Sequence, residues 1–279
     1  MKVTHSFWSK AYFRGRWGEE PKLPFDLYCF ALSSHFANKT FGSIDLVTDE
    51  AGAFLLEGLP YANIHLGLED ISHVDSRMWT AGKVKALDAF DEDVLHIDGD
   101  VFFLEKSITA VINSSWDSIV QSREIGSHYQ STYPPILYAL TRLHPEAHKL
   151  SLYNFTYNTG IFGFKDQEFK RLYVKEYFKL VEELTMKGVE YPAKHDPNVV
   201  VEQSLFTQMS QDHNKYVKEL ISIQQMDNDG LFDAAEEMGY VHLWGNSKYQ
   251  QQWHEKVKQR LKEENPKLFD FVTHRINTL

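Results

Sequence analysis

Asp98-Gly99-Asp100 follows the apolar run Val94-Leu95-His96-Ile97 and precedes Val101-Phe102-Phe103, so two carboxylates stand where a buried strand should stop. In an extended strand, residues i and i+2 project to the same side. Two anions about 4 Å apart then repel by roughly 4 kcal/mol at an effective dielectric near 20. Such a pair calls for a divalent cation. The pattern alone is not selective, because Asp-x-Asp also occurs at Asp91-Glu92-Asp93 and at Asp227-Asn228-Asp229. The first of these follows Phe90 at the expected end of a helix and reads as a solvated connection. The second is followed by Gly230 and has turn composition. Only the middle copy has apolar residues on both sides, where charge is costly unless it is paired or bound to metal.

The surrounding periodicity indicates the elements that must position this pair. Lys2 to Phe7 reads as a first strand, and Pro24 opens a helix through Leu27, Phe30, Ala31 and His35 that ends near Asn38. Ile44 to Asp49 reads as a second strand, closed by a turn around Gly52. Thr80 is expected to cap a helix in which Ala81, Val84, Leu87 and Phe90 recur every three residues, with Lys83 near one edge. The Asp98 strand comes next. Strands and helices alternating at this rhythm indicate βαβ units, hence an α/β fold with a mostly parallel central sheet flanked by helices. Ligands of such sheets bind outside the carboxyl ends of the strands, which is the edge assigned to Asp98 and Asp100. Asn158 to Phe164 reads as a later strand. Phe169, Leu172, Tyr173, Tyr177, Leu180, Val181 and Leu184 then form the apolar stripe of a long helix stopped at Gly188, and that stripe is core. A second helix around Val199 to Met209 carries Glu202 and Gln203. Val241 to Lys248 follow near the C-terminus, and then a helix with Trp253, Val257 and Leu261 on one face.

Composition narrows the function classes. The 279 residues, 43% of them hydrophobic, suffice for the core of one large α/β domain or two small ones. A formal charge of -10 and a pI near 5.7 argue against a nucleic-acid surface, which needs clustered Lys and Arg. A small anionic ligand stays compatible if a metal and a few local cations supply the attraction. The single Cys29 excludes an internal disulfide and suits a reducing compartment. Met1 to Lys10 lack an apolar signal region, and no run approaches the roughly 18 apolar residues needed to span a bilayer. The expectation is a cytoplasmic protein with no transmembrane segment.

Four separated segments together resemble the metal-dependent nucleotide-sugar glycosyltransferases of the GT-A fold, and within them the retaining glycogenin-like and bacterial galactosyltransferase-like group. Asp98-Gly99-Asp100 after a hydrophobic strand is similar to the Asp-x-Asp of that family. Asn158-Thr159-Gly160 resembles its Asn-Ser/Ala-Gly segment, and Glu202-Gln203 its acidic-Gln pair. His242-x-x-Gly245-x-x-Lys248 has the spacing of its His-x-x-Gly-x-x-Lys signature, and Lys83, fifteen residues before Asp98, stands about where the family keeps a basic residue. The sequence departs from the family where Tyr249 replaces the usual Pro and Glu202 the commoner Asp. The resemblance covers about residues 3 to 250. It implies one catalytic domain over 1–279, with a nucleotide-binding half over about 1–105, a donor-sugar and acceptor half over about 106–250 and a C-terminal helix over 250–279.

The resemblance further implies a hexosyltransferase with a UDP-sugar as donor, Mn²⁺ or Mg²⁺ as cofactor, and a glycan, a lipid-linked molecule or a protein as acceptor. Asp98, Asp100 and His242 would be metal ligands, with Asp98 also near the ribose. Gly99 would admit close approach of the ligand to the backbone. Lys248 would neutralise the diphosphate as a point charge, with Lys83 and Gly245 in the same donor site. Asn158 would bind a sugar hydroxyl, Gln203 would face the anomeric carbon, and Glu202 would be a nucleophile or a sugar-binding carboxylate. Each residue also has an ordinary reading: His242 as one of 13 histidines, Lys83 and Lys248 as solvated helix positions, Glu202 and Gln203 as a polar helix face, Asn158 as a turn. Thr4, His5 and Ser6 at the first strand are candidates for contact with the uracil. A haloacid-dehalogenase-type phosphatase also carries Asp-x-Asp after a strand, but normally the first one. A non-catalytic sugar-nucleotide or glycan-binding module of the same fold is a further alternative. A related nucleotidyltransferase would need a Gly-rich basic first loop, of which Arg14-Gly15-Arg16 is a faint trace.

Overall fold

A computed structural model describes residues 1–14, 23–143, 150, 153–186, 197–222, 235–243 and 250–278. The chain begins with β1 (Lys2–Phe7), α1 (Ser9–Phe13), α2 (Leu23–Phe41), β2 (Asp45–Thr48), α3 (Glu50–Leu55), β3 (Ile64–Leu66), α4 (Thr80–Asp88) and β4 (Val94–Ile97). It continues through β5 (Val101–Phe103), α5 (Ile108–Ile112), β6 (Ser118–Glu124), α6 (Gly126–Leu143), β7 (Thr156–Phe164), α7 (Gln167–Met186), α8 (Pro197–Asp212), β8 (Val217–Glu219) and β9 (Tyr240–His242). Helices Gln251–Glu264 and Pro266–Thr278 end it.

Seven strands form the main sheet in the order β3-β2-β1-β4-β7-β6-β8, while β5 and β9 make a separate two-stranded ribbon. Within the main sheet, β7 alone runs against its neighbours β4 and β6. β2 and β4 are buried at every position, as expected of parallel strands covered on both faces by helices. On one face α4, α6, α7 and α8 pack an aromatic-rich core around Phe162, Phe164, Tyr173 and Phe206. On the other, α2 and the two C-terminal helices bury Phe25, Phe36, Val257, Leu261, Leu268 and Val272. Fully burying one such large side chain stabilises by about 1.5–3 kcal/mol. Among the described residues, no helix is long and apolar enough to cross a membrane.

Several local expectations change in the folded chain. Thr80 does not cap α4: it lies inside the helix, its hydroxyl is 2.8 Å from Tyr177 Oη, and the preceding Trp79 offers no side-chain cap. α4 is buried on more than one side, because α7 and α8 cover the flank that the three-residue periodicity leaves open. Thr80, Gly82 and Lys83 are therefore buried along with the apolar stripe. α6 runs through Pro134 and Pro135, in a stretch whose pattern is hard to read from sequence because a proline lacks an N–H and crowds the preceding turn of a helix. Gly188 and Asp227 to Asp229 lie outside the described residues, as do Gly15 and Arg16.

Candidate active site

The Asp98-Gly99-Asp100 carboxylates converge through a turn and not through strand alternation. β4 stops at Ile97; the Asp98 N–H donates to Gly160 O at 2.9 Å, and the Val101 N–H donates back to Asp98 O at 3.0 Å. A Cβ on residue 99 would lie 2.4 Å from the Phe30 ring, so the turn packs against α2 only with glycine there. The chain then enters β5, which pairs antiparallel with β9 so that Val101 sits opposite His242, and the Leu243 N–H donates to Asp100 O at 3.0 Å. This short ribbon brings a distant histidine to the acidic turn: His242 Nε2 is 3.4 Å from Asp100 Oδ1. One ligand atom each from Asp98, Asp100 and His242 lie within 4.8 Å of one another, a group that could hold a metal ion. Gly160 on β7 makes the space, since a Cβ there would be 2.3 Å from His242 Cε1.

The donor chemistry fits a divalent cation. His242 Nδ1 is 2.7 Å from Oε1 of Gln121, a buried residue of β6. An imidazole that donates its Nδ1–H to Gln121 presents the Nε2 lone pair on its other side. That lone pair faces the Asp100 carboxylate, an acceptor against an acceptor, which a cation between them reconciles. Two carboxylates and an imidazole suit Mn²⁺, whereas Mg²⁺ prefers oxygen and water ligands.

Lys83 stands directly beside this group. Its Nζ is 3.1 Å from Asp98 Oδ1 and 3.4 Å from Glu202 Oε1, and it donates to Thr159 O at 3.0 Å. Burial disfavours the ammonium, but the charges of Asp98 and Glu202 outweigh burial and raise its pKa. Glu202 is 1% exposed; burial pushes its carboxyl up to about 7 against the opposing pull of Lys83. His96 is also buried, with Nε2 2.9 Å from Ser6 Oγ and Nδ1 3.8 Å from Asp98 Oδ1, and burial keeps it neutral.

Asn158 and Gln203 belong to an adjoining network. Asn158 Oδ1 accepts from the Gly160 N–H at 3.0 Å, and its Nδ2 donates to Glu124 Oε1 at 2.7 Å. Tyr133, on α6, bonds both Glu124 and the side-chain amide of Gln203. The sequence reading missed Gln121, Glu124 and Tyr133. The only signal was polar residues at the end of an otherwise apolar strand, Val120-Gln121-Ser122-Arg123-Glu124, and in a stretch obscured by two prolines. Gly245 and Lys248 lie outside the described residues. Thr4 and His5 are fully buried and committed elsewhere: Ser33 gives its proton to Val101 O, so His5 Nε2 donates to Ser33 Oγ and Nδ1 accepts from Tyr61. Burial lowers the His5 pKa to about 3, and neither residue is available to a base.

The fold is that of the GT-A glycosyltransferases. The bifunctional glycosyltransferase WbbM matches with a TM-score of 0.55 at 10% identity, over 99% of this chain and 51% of that one. An active-site Gln→Glu mutant of LgtC matches at 0.51 and 11% identity, over 93% and 94%. The carboxylate pair ends the fourth strand of such a fold and not the first strand of a dehalogenase-type phosphatase. The chain belongs to DUF6734, a family of unknown function, whose model matches residues 1–275. No curated protein matches the sequence.

Proposed function

We propose that this protein is a metal-dependent glycosyltransferase that moves a hexose from UDP to a hydroxyl of an acceptor, with retention of anomeric configuration. The observation that carries the proposal is the convergence of Asp98, Asp100 and His242 within 4.8 Å at the carboxyl end of β4, in a fold shared with known glycosyltransferases. Retention rests on the glycogenin-like pattern of the motifs.

Asp98, Asp100 and His242 would hold Mn²⁺ or Mg²⁺. Such an ion supplies Lewis-acid stabilisation to a departing diphosphate. Lys83 adds a positive charge that is already oriented, because Asp98, Glu202 and Thr159 O fix its ammonium before any ligand arrives. Lys248 would add a second charge to the diphosphate, with Gly245 in the same donor site. The Gly99 turn brings backbone close to the nucleotide. Asn158 and Gln203 would meet the sugar hydroxyls, Gln203 nearest the anomeric carbon. Glu202, buried against Lys83, serves the reaction by holding that lysine in position. The single Cys29 favours a reducing, cytoplasmic setting.

Melting the protein with UDP, UDP-hexoses and uridine, with and without Mn²⁺, tests the proposal. A ligand at about 100 times its Kd stabilises by about 2.7 kcal/mol. The expected result is a large shift for UDP and a UDP-hexose only when Mn²⁺ is present, together with slow Mn²⁺-dependent hydrolysis of the sugar nucleotide. Absence of any Mn²⁺-dependent shift would refute the assignment, and a shift without turnover would leave a binding module.

A further inference from the structure

The side-chain amide of Gln203 can point either end at its neighbours, and the hydrogen bonds around it choose between the two. Tyr133 is 1% exposed; its Oη lies 2.5 Å from Glu124 Oε2 and also contacts the Gln203 amide. Glu124 Oε1 accepts from Asn158 Nδ2 at 2.7 Å, so both oxygens of this carboxylate are acceptors. A phenol carries one proton. Burial first, and the charge of Glu124 second, hold the Tyr133 pKa well above the ordinary phenol value, so that proton stays in place. With Gln203 Oε1 facing Tyr133, one proton would have to serve two acceptors. A carboxylate is the stronger acceptor. Turning the amide over removes the conflict with no other heavy atom moved, since its nitrogen and oxygen are nearly alike in shape.

We infer that Tyr133, oriented by Glu124, is a positioning residue that binds Nε2 of Gln203 and leaves the carbonyl Oε1 as the end offered to a ligand. Gln203 then accepts a hydrogen bond from a hydroxyl and does not donate one. The network reaches the metal group without a gap: Glu124 holds Asn158, Asn158 holds the Gly160 N–H, and Gly160 lies against His242. That the hydroxyl belongs to a sugar rests on the proposed function. The orientation of the amide does not, because it is a property of the free protein.

The experiment follows the Gln203 side-chain NH₂ in ¹⁵N-labelled full-length protein, identified as the resonance pair lost in Gln203→Glu. Its protons are expected to exchange with water at least about tenfold more slowly than exposed amides, and to lose that protection in Tyr133→Phe. Glu124→Gln, which keeps the shape of the side chain, is expected to remove the protection too, because Tyr133 then has no anionic acceptor and can donate to Gln203 instead. In turnover of a UDP-hexose, Tyr133→Phe should lower kcat about tenfold. It should leave the Kd of UDP, which has no sugar, unchanged. Fast exchange in the wild type, or protection that persists in a folded Glu124→Gln protein, overturns the orientation whatever the enzyme does. Slow exchange in a protein that binds no UDP-hexose upholds the orientation and removes only the sugar.

Discussion

The two ends of the central sheet each gather carboxylate, lysine and histidine, and they balance charge in opposite ways. At the amino end, Asp45 at the start of β2 accepts from Asn63 Nδ2 at 3.0 Å, His65 Nε2 at 3.1 Å and Lys2 Nζ at 3.4 Å. One anion meets three donors. Burial opposes its charge, but the bonds from Asn63 and His65 and the charge of Lys2 prevail and lower its pKa. At the carboxyl end, Asp98 and Glu202 share the ammonium of Lys83, Asp100 lies against His242, and the Nδ1 of His242 is turned to Gln121. There two carboxylates meet one ammonium. Three donors around one anion suit a scaffold, and two carboxylates on one ammonium, beside the Asp98, Asp100 and His242 group, suit the cation site proposed above.

The hardest test of this contrast is to remove one anion from each end. Asp100→Asn is expected to abolish Mn²⁺ binding in calorimetry and all metal-dependent turnover, while the metal-free protein melts at the same temperature or higher, because a repelling charge is gone. A metal-free Asp100→Asn protein that melts well below the wild type would show that Asp100 is scaffold as well. Gln121→Leu is expected to weaken Mn²⁺ binding by about 10- to 100-fold, since it frees the His242 ring to rotate and change tautomer. An unchanged Mn²⁺ affinity would remove Gln121 from the account. Asp45→Ala should do the reverse of Asp100→Asn, lowering stability by about 1–3 kcal/mol through the unpaired donors it leaves, with Mn²⁺ affinity intact.

What the sequence disclosed followed the range of the interactions. The acidic pair after Val94 to Ile97, the stripe of α7 and the helix carrying Glu202 and Gln203 depend on neighbours along the chain, and each is present. The ribbon joining Val101 to His242 is a long-range pairing of three-residue strands, too short to declare its partner; only the family spacing singled out His242. Lys83 read as a solvated edge because nothing local announces that Glu202 will cover it. Gln121, Glu124 and Tyr133 act through one another, so none carries a pattern alone. The single C-terminal helix expected over 250–279 is two, Gln251–Glu264 and Pro266–Thr278, because Pro266 drives Asn265 out of helical conformation and is itself a favoured first residue of the next helix.

The smallest expected effect is on the pH dependence of stability, and it discriminates between the two ends by sign. Asp45 titrates lower in the folded state than its ordinary value of 3.8, so its contribution is complete above that pH and is lost only as pH falls below it. Glu202 titrates at about 7 when folded against 4.5 when unfolded, so between these values the native state binds more protons and stability falls as pH rises. His5, with a pKa of about 3 when folded, and His96, also lowered, act the other way, because the unfolded chain takes up their protons below 6.5. The wild-type curve alone therefore mixes opposing slopes. Subtracting it from that of metal-free Glu202→Gln isolates one group: the variant should gain stability relative to the wild type as pH rises from about 4.5 to about 7, and hold that gain above. A flat difference would mean that Lys83 neutralises Glu202 fully. The carboxyl end would then be as well paired as the amino end, and the contrast between scaffold and site would rest on Asp98, Asp100 and His242 alone.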